Sequence, residues 1–123
     1  MNLFMIAYLE GPEFEALIKT VVEEKGVEYY LVHQGDQLSQ LAKTYNPFLM
    51  LLDLCSPESG WLFKHITEVK SLKPRLPIVV IYNPMDSAIQ MRAQSYGCDF
   101  LISRHDFIEQ FPLIVESTLK QPS

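Results

Sequence analysis

Two kinds of hydrophobic pattern alternate along this chain. Residues 48–52 (Phe-Leu-Met-Leu-Leu) are apolar without interruption and stop at Asp53, and residues 3–7 and 78–81 form similar runs. Runs of that length, bounded by turn residues, mark strands buried on both faces. Residues 27–32 are rich in β-branched and aromatic side chains and predict a further strand, as do residues 100–102. In chain order these are β1 (3–7), β2 (27–32), β3 (48–52, closed by Asp53), β4 (78–81) and β5 (100–102).

Between them the period changes. Phe14, Leu17, Ile18, Val21 and Val22 fall on one helical stripe, with Pro12 in the first turn and Gly26 just past the end, which predicts α1 over 12–25. Leu38, Leu41, Ala42 and Tyr45 repeat the spacing behind a Gly35-Asp36 cap and define α2, which Asn46-Pro47 ends. Leu62, Ile66 and Val69 mark α3, broken by Lys73-Pro74. Asp86 is positioned to cap α4, whose buried side is Ile89, Ala93 and Tyr96. Phe111, Ile114, Val115 and Leu119 place α5 over 108–120, where Pro112 predicts a late start or a bend.

Five strands alternating with five helices through short loops predict an α/β fold with a parallel five-stranded sheet in the order 2-1-3-4-5 and helices on both faces. In that order the loops leaving β1, β3, β4 and β5 share one mouth at the carboxyl edge of the sheet. Tyr8, Leu9 and Glu10, then Asp53, Tyr82 and Asn83, and Ser103 and Arg104 fall there.

The chain has 123 residues, 48% of them hydrophobic and 20% charged, with a formal net charge of −5. That balance predicts one globular domain over residues 1–121 and argues against a nucleic-acid interface. No apolar run approaches a bilayer span, so no membrane role is expected. Cys55 and Cys98 lack zinc-ligand spacing, and the opening Met-Asn-Leu-Phe carries no basic leader, which together suggest a reduced, cytoplasmic protein. His33 and His65 have no matched ligands and read as surface or partly packed residues. Neither thiol is placed with a His and Asp as a nucleophile would be. No glycine-rich phosphate loop follows β1, where Gly11 stands alone, so a flavin or nucleotide site is not indicated.

Leu51-Leu52-Asp53-Leu54-Cys55-Ser56-Pro57 followed by Gly60-Trp61-Leu62 resembles the acceptor strand and loop of response regulator receiver domains. Pro77-Ile78-Val79-Val80-Ile81 and Gly97-Cys98-Asp99-Phe100-Leu101-Ile102 resemble that family's fourth strand and its approach to the fifth. The resemblance covers almost the entire chain. It implies a flavodoxin-like (βα)5 three-layer sandwich and a receiver of a two-component phosphorelay, a signalling module and not an enzyme. Asp53 is then the candidate phosphoacceptor.

The family's acidic pair falls on Tyr8, Leu9 and Glu10, of which only Glu10 is an acid. Glu10, Asp53 and the backbone carbonyl of Cys55 are therefore the candidate donors for the Mg²⁺ that the resemblance implies, a reduced set in which the ion is retained or lost. Tyr82 stands where the family has a small hydroxyl, and its ring either contacts a phosphoryl group or partner, or covers the pocket or packs against α4. Arg104 follows Gly97 by seven residues, the spacing of the family's Lys, while a one-residue shift would align Ser103 instead. His105 replaces the Pro that commonly follows, and Gly60 comes one residue early.

The partners implied are a histidine kinase or phosphotransfer protein, a downstream protein on the α4–β5–α5 face, and a homodimer through the last helices. The alternative is a pseudo-receiver of the same fold that binds partners without phosphorylation.

Overall fold

The structure, a computed structural model, describes residues 3–56 and 59–120; Pro57, part of the motif behind the resemblance, lies outside them. Five parallel strands, β1 (Phe4–Tyr8), β2 (Glu28–Val32), β3 (Leu49–Leu54), β4 (Ile78–Tyr82) and β5 (Phe100–Ser103), form one sheet in the order β2-β1-β3-β4-β5. The predicted order therefore holds. All six residues of β3 are buried, as its unbroken apolar run requires of the central strand.

Side chains alternate across the sheet and divide the core in two. Met50, Leu52 and Leu54 join Ile66, Val69, Ile89 and Ala93 on one face. Leu49, Leu51 and Ile81 join Ile18, Val22, Phe107 and Phe111 on the other. The first face is covered by α2 (Asp36–Thr44), α3 (Phe63–Leu72) and α4 (Ser87–Ser95), the second by α1 (Glu15–Lys25) and α5 (Phe107–Lys120). Asp53, by strand parity with Leu51, lies on the α1/α5 face.

Helix starts differ from the sequence expectation. Pro12–Phe14 forms a 3₁₀ turn, in which the Glu15 N–H donates to the Pro12 carbonyl, so α1 begins at Glu15. Asp36 does not cap α2; the Gln37 side chain instead accepts from the His33 and Gln34 amides at 3.1 and 3.2 Å. A second 3₁₀ turn, Ser59–Leu62, precedes α3. Asp86 does cap α4, accepting from Ile89 N–H at 3.2 Å. The Asp99 carboxylate accepts from Lys70 at 2.6 Å and from the Ile78 N–H at 2.8 Å, tying α3 and the start of β4 to the turn before β5.

The expected late start of α5 is not found. The helix begins at Phe107 and runs through Pro112. Proline at the sixth helical position withholds one amide from the Ile108 carbonyl; the Ile108 side chain is 70% exposed, so water reaches that turn. Pro112→Ala restores the bond. It should raise stability in urea denaturation by roughly 1–2 kcal/mol, after allowing for the proline's restraint on the unfolded chain.

Candidate functional site

Asp53 is 1% exposed, a buried carboxylate one residue from the end of β3. A carboxylate in that position must be satisfied, and two backbone amides do so. Oδ2 accepts from the Glu10 N–H at 3.1 Å and Oδ1 from the Cys55 N–H at 3.0 Å. The first bond joins the loop after β1 to the end of β3; the second folds the chain back two residues on, in the manner of an Asx turn. Asp53 and the Glu10 segment therefore share one mouth, as the strand order predicts.

The Glu10 carboxylate itself accepts from the Tyr8 hydroxyl at 3.5 Å. Tyr8 is 8% exposed, and its ring packs edge-on to Trp61 at 5.5 Å. Its phenol titrates above the ordinary tyrosine value, through burial first and then through the Glu10 and Asp53 carboxylates, so it keeps its proton and donates.

Arg104 reaches the mouth from the end of β5, where its N–H donates to the Tyr82 carbonyl at 2.9 Å. Its guanidinium pairs with Glu13, Nη2 lying 3.2 Å from Oε2 and 3.4 Å from Oε1. Ser103 has a different task. Its hydroxyl and the Asp106 side chain and amide bond one another, shaping the turn into α5.

Tyr82 is not brought to Asp53. Its ring packs with the cluster containing Leu54, Ile89 and Ala93, on the α2–α4 face, while Asp53 shares the opposite face with Leu51 and Ile81. The register shows why: Asp53 pairs with Ile81 and Leu54 with Tyr82, and neighbouring partners point the same way. Packing against α4 is thus where the ring goes. One residue later, Asn83 lines a groove with Glu13, Arg104 and His105, floored by Phe14 and Phe107.

Cys55 adjoins the same carboxylate. Burial, then the Asp53 charge, push its thiol far above the ordinary value, and Arg104 opposes the shift from a distance. Burial, followed by Asp99, pushes Cys98 up to about 11. Both thiols are protonated at neutral pH, which supports the expectation that neither is a nucleophile.

For Mg²⁺ the available donors are Glu10, Asp53 and the Cys55 carbonyl. The Glu10 N–H, a positive dipole end, occupies Asp53 Oδ2, and the Glu10 carboxylate holds the Tyr8 hydroxyl. Among the described residues no three His, Cys, Asp or Glu side chains gather as a metal site. As arranged, the donors do not fit an ion that demands near-octahedral oxygen geometry.

Sequence reasoning missed Glu13, the partner of Arg104. Its signal was an acid inside the Gly11-Pro12 turn that opens toward the mouth. It also took Glu10 for a side-chain ligand, where the structure shows its backbone amide at work as well.

No protein-family model and no curated protein sequence matches the chain. Solved structures do. A CheY-like protein, TadZ, from Pseudomonas aeruginosa PAO1 superposes with a TM-score of 0.80 at 13% identity, covering 95% of this chain and 99% of that one. A response regulator from Thermotoga maritima gives 0.79 at 12% identity over 98% and 100%. The phosphorylated cyanobacterial phytochrome response regulator RcpA gives 0.74 at 20% identity over 100% and 98%. The chain has the CheY-like, flavodoxin-like fold of response regulator receivers; at these identities the likeness is one of fold.

Two outcomes test the site. Asp53→Ala leaves two amides without an acceptor and should cost roughly 2–4 kcal/mol in urea denaturation, whereas Asp53→Asn keeps one acceptor oxygen and should cost less. In the folded protein at pH 8 Cys98 should alkylate roughly a hundredfold more slowly than a free cysteine peptide and Cys55 more slowly still, and Asp53→Asn should speed Cys55 but not Cys98.

Proposed function

We propose that this chain works as a receiver domain in a two-component phosphorelay, with Asp53 as the phosphoryl acceptor. One observation carries the proposal. The carboxylate one residue from the end of the central strand is tied to the β1 loop through the Glu10 amide, at the sheet edge where Arg104 leaves β5. A neighbour of the same fold, RcpA, is described in its phosphorylated form.

In this reading an Asp53 oxygen attacks the phosphorus of a phosphohistidine or small acyl phosphate. A P–O bond forms at Asp53 and the donor's bond to phosphorus breaks. The acyl phosphate carries about two negative charges where the carboxylate carried one, so about one is added at a buried position. It displaces the Glu10 amide from Oδ2 and competes with Glu13 for Arg104, whose planar fork suits phosphoryl oxygens. Glu10, Asp53 and the Cys55 carbonyl remain the candidate Mg²⁺ donors, and the test runs with and without the ion because their present arrangement does not hold one.

The donor under this reading is a histidine kinase or phosphotransfer protein. The output runs through the α4–β5–α5 face, where Met91 is 69% and Tyr96 39% exposed. A second reading, the phosphorylation-independent module, is favoured by the double amide cap on Asp53. It requires Asp53→Asn to leave partner binding intact, and charge reversal on α4 and α5 to weaken it.

Incubation with acetyl phosphate, followed by intact mass, separates the two. The acceptor reading expects a single phosphoryl adduct in the presence of Mg²⁺, absent from Asp53→Asn. An adduct that survives the substitution, or no adduct under any condition, would defeat it.

A further inference from the structure

Among the described residues the buried polar side chains are Asp53, His65 and Thr118. Of their atoms, His65 Nδ1 is without a hydrogen-bond partner. It lies 3.7 Å from Glu68 Oε2, nearly one turn further along α3 and beyond hydrogen-bond reach. That oxygen is held by the Ser39 hydroxyl of α2 at 2.8 Å.

The ring is also pressed against the start of α2. A methyl group on Gly35 would lie 2.5 Å from His65 Nε2 and 2.5 Å from Trp61 Cζ3, so only glycine fits between them. Trp61 packs edge-on to His65 at 5.9 Å and to Tyr8 at 5.5 Å. His65 therefore touches α2, reaches toward a carboxylate, and backs the tryptophan that packs on Tyr8, whose hydroxyl donates to Glu10.

We propose that His65 is a proton-operated latch between α2 and α3. The ring nitrogen that lacks hydrogen takes a proton from solvent, one N–H bond forms, and the imidazolium carries N–H groups at both positions. Nδ1–H then closes on Glu68 Oε2 and completes a Ser39–Glu68–His65 clamp across the two helices. Because the ring is wedged against Gly35, closing the clamp moves the ring edge that supports Trp61, and Trp61 passes the movement to Tyr8.

The groups around the ring, among the described residues, are these. From its own helix the charged group facing it is Glu68. From α2 come the Gly35 backbone, Asp36 in the first turn and Ser39 acting through Glu68. The turn before α3 presents Trp61, beyond which stand Tyr8 and the Glu10 carboxylate. Among the described residues, His65–Glu68 is the ion pair that gains from protonation. The latch is independent of phosphoryl transfer to Asp53 and stands or falls separately.

Trp61 is the chain's single tryptophan, so its emission, excited where tyrosine does not absorb, reports the latch directly. As the pH falls from about 8 to 5, the range in which histidine changes charge, emission of the intact chain should drop in a one-proton step, because an imidazolium beside an indole quenches it. His65→Gln should abolish the step, whereas His33→Gln and His105→Gln should leave it. Glu68→Gln should move the midpoint to lower pH, since it removes the charge that favours the proton, and this variant carries the test if His65→Gln fails to fold by circular dichroism. No step in the unmodified protein, a step that survives His65→Gln, or a midpoint indifferent to Glu68→Gln would each overturn the proposal.

Discussion

A carboxylate with almost no access to water is the constraint on which the site depends. Asp53 sits one residue from the end of a strand buried along its entire length. An ionised group there is tolerable only with donors in place. The donors are the Glu10 and Cys55 amides. Two loops that are distant in sequence are thereby fixed against one side chain, and the position of the mouth follows. The same bonds that fix the loops also occupy both oxygens of the carboxylate.

The charges around the mouth are arranged in pairs. Tyr8 stands where a receiver carries an acid, and its hydroxyl binds the carboxylate of Glu10. Arg104 brings a positive charge from β5, and Glu13 engages it. Each is a partly exposed contact of modest strength. An incoming phosphoryl group would therefore meet partners that exchange readily, in contrast to the buried amide cap.

Most of the architecture was legible in the sequence. The unbroken apolar runs gave the strands, because a parallel sheet covered on both faces demands them, and alternation with helical stripes gave the order. The helix starts were less readable. At Pro12–Phe14 and Ser59–Leu62 a 3₁₀ turn precedes the helix, and apolar periodicity does not distinguish the two kinds of turn. The side of the sheet that Tyr82 faces was encoded in strand parity, since it pairs with Leu54 and not with Asp53. His65, read as a surface or partly packed residue because it had no matched ligands, lies on the apolar stripe three residues after Leu62 and four before Val69 and is buried. Glu10 could be read as an acid but not as an amide donor, because backbone bonding leaves no mark on residue type.

The central claim is that Asp53 is a reactive carboxylate whose amide cap opens. The most direct test is the amide spectrum of the protein with beryllofluoride, a phosphoryl mimic for aspartate, and Mg²⁺. The account predicts that the Glu10 and Cys55 resonances shift together at stoichiometric mimic, and that Asp53→Asn abolishes the shift. Resonances that stay in place at saturating mimic would contradict it and leave Asp53 as a structural clasp.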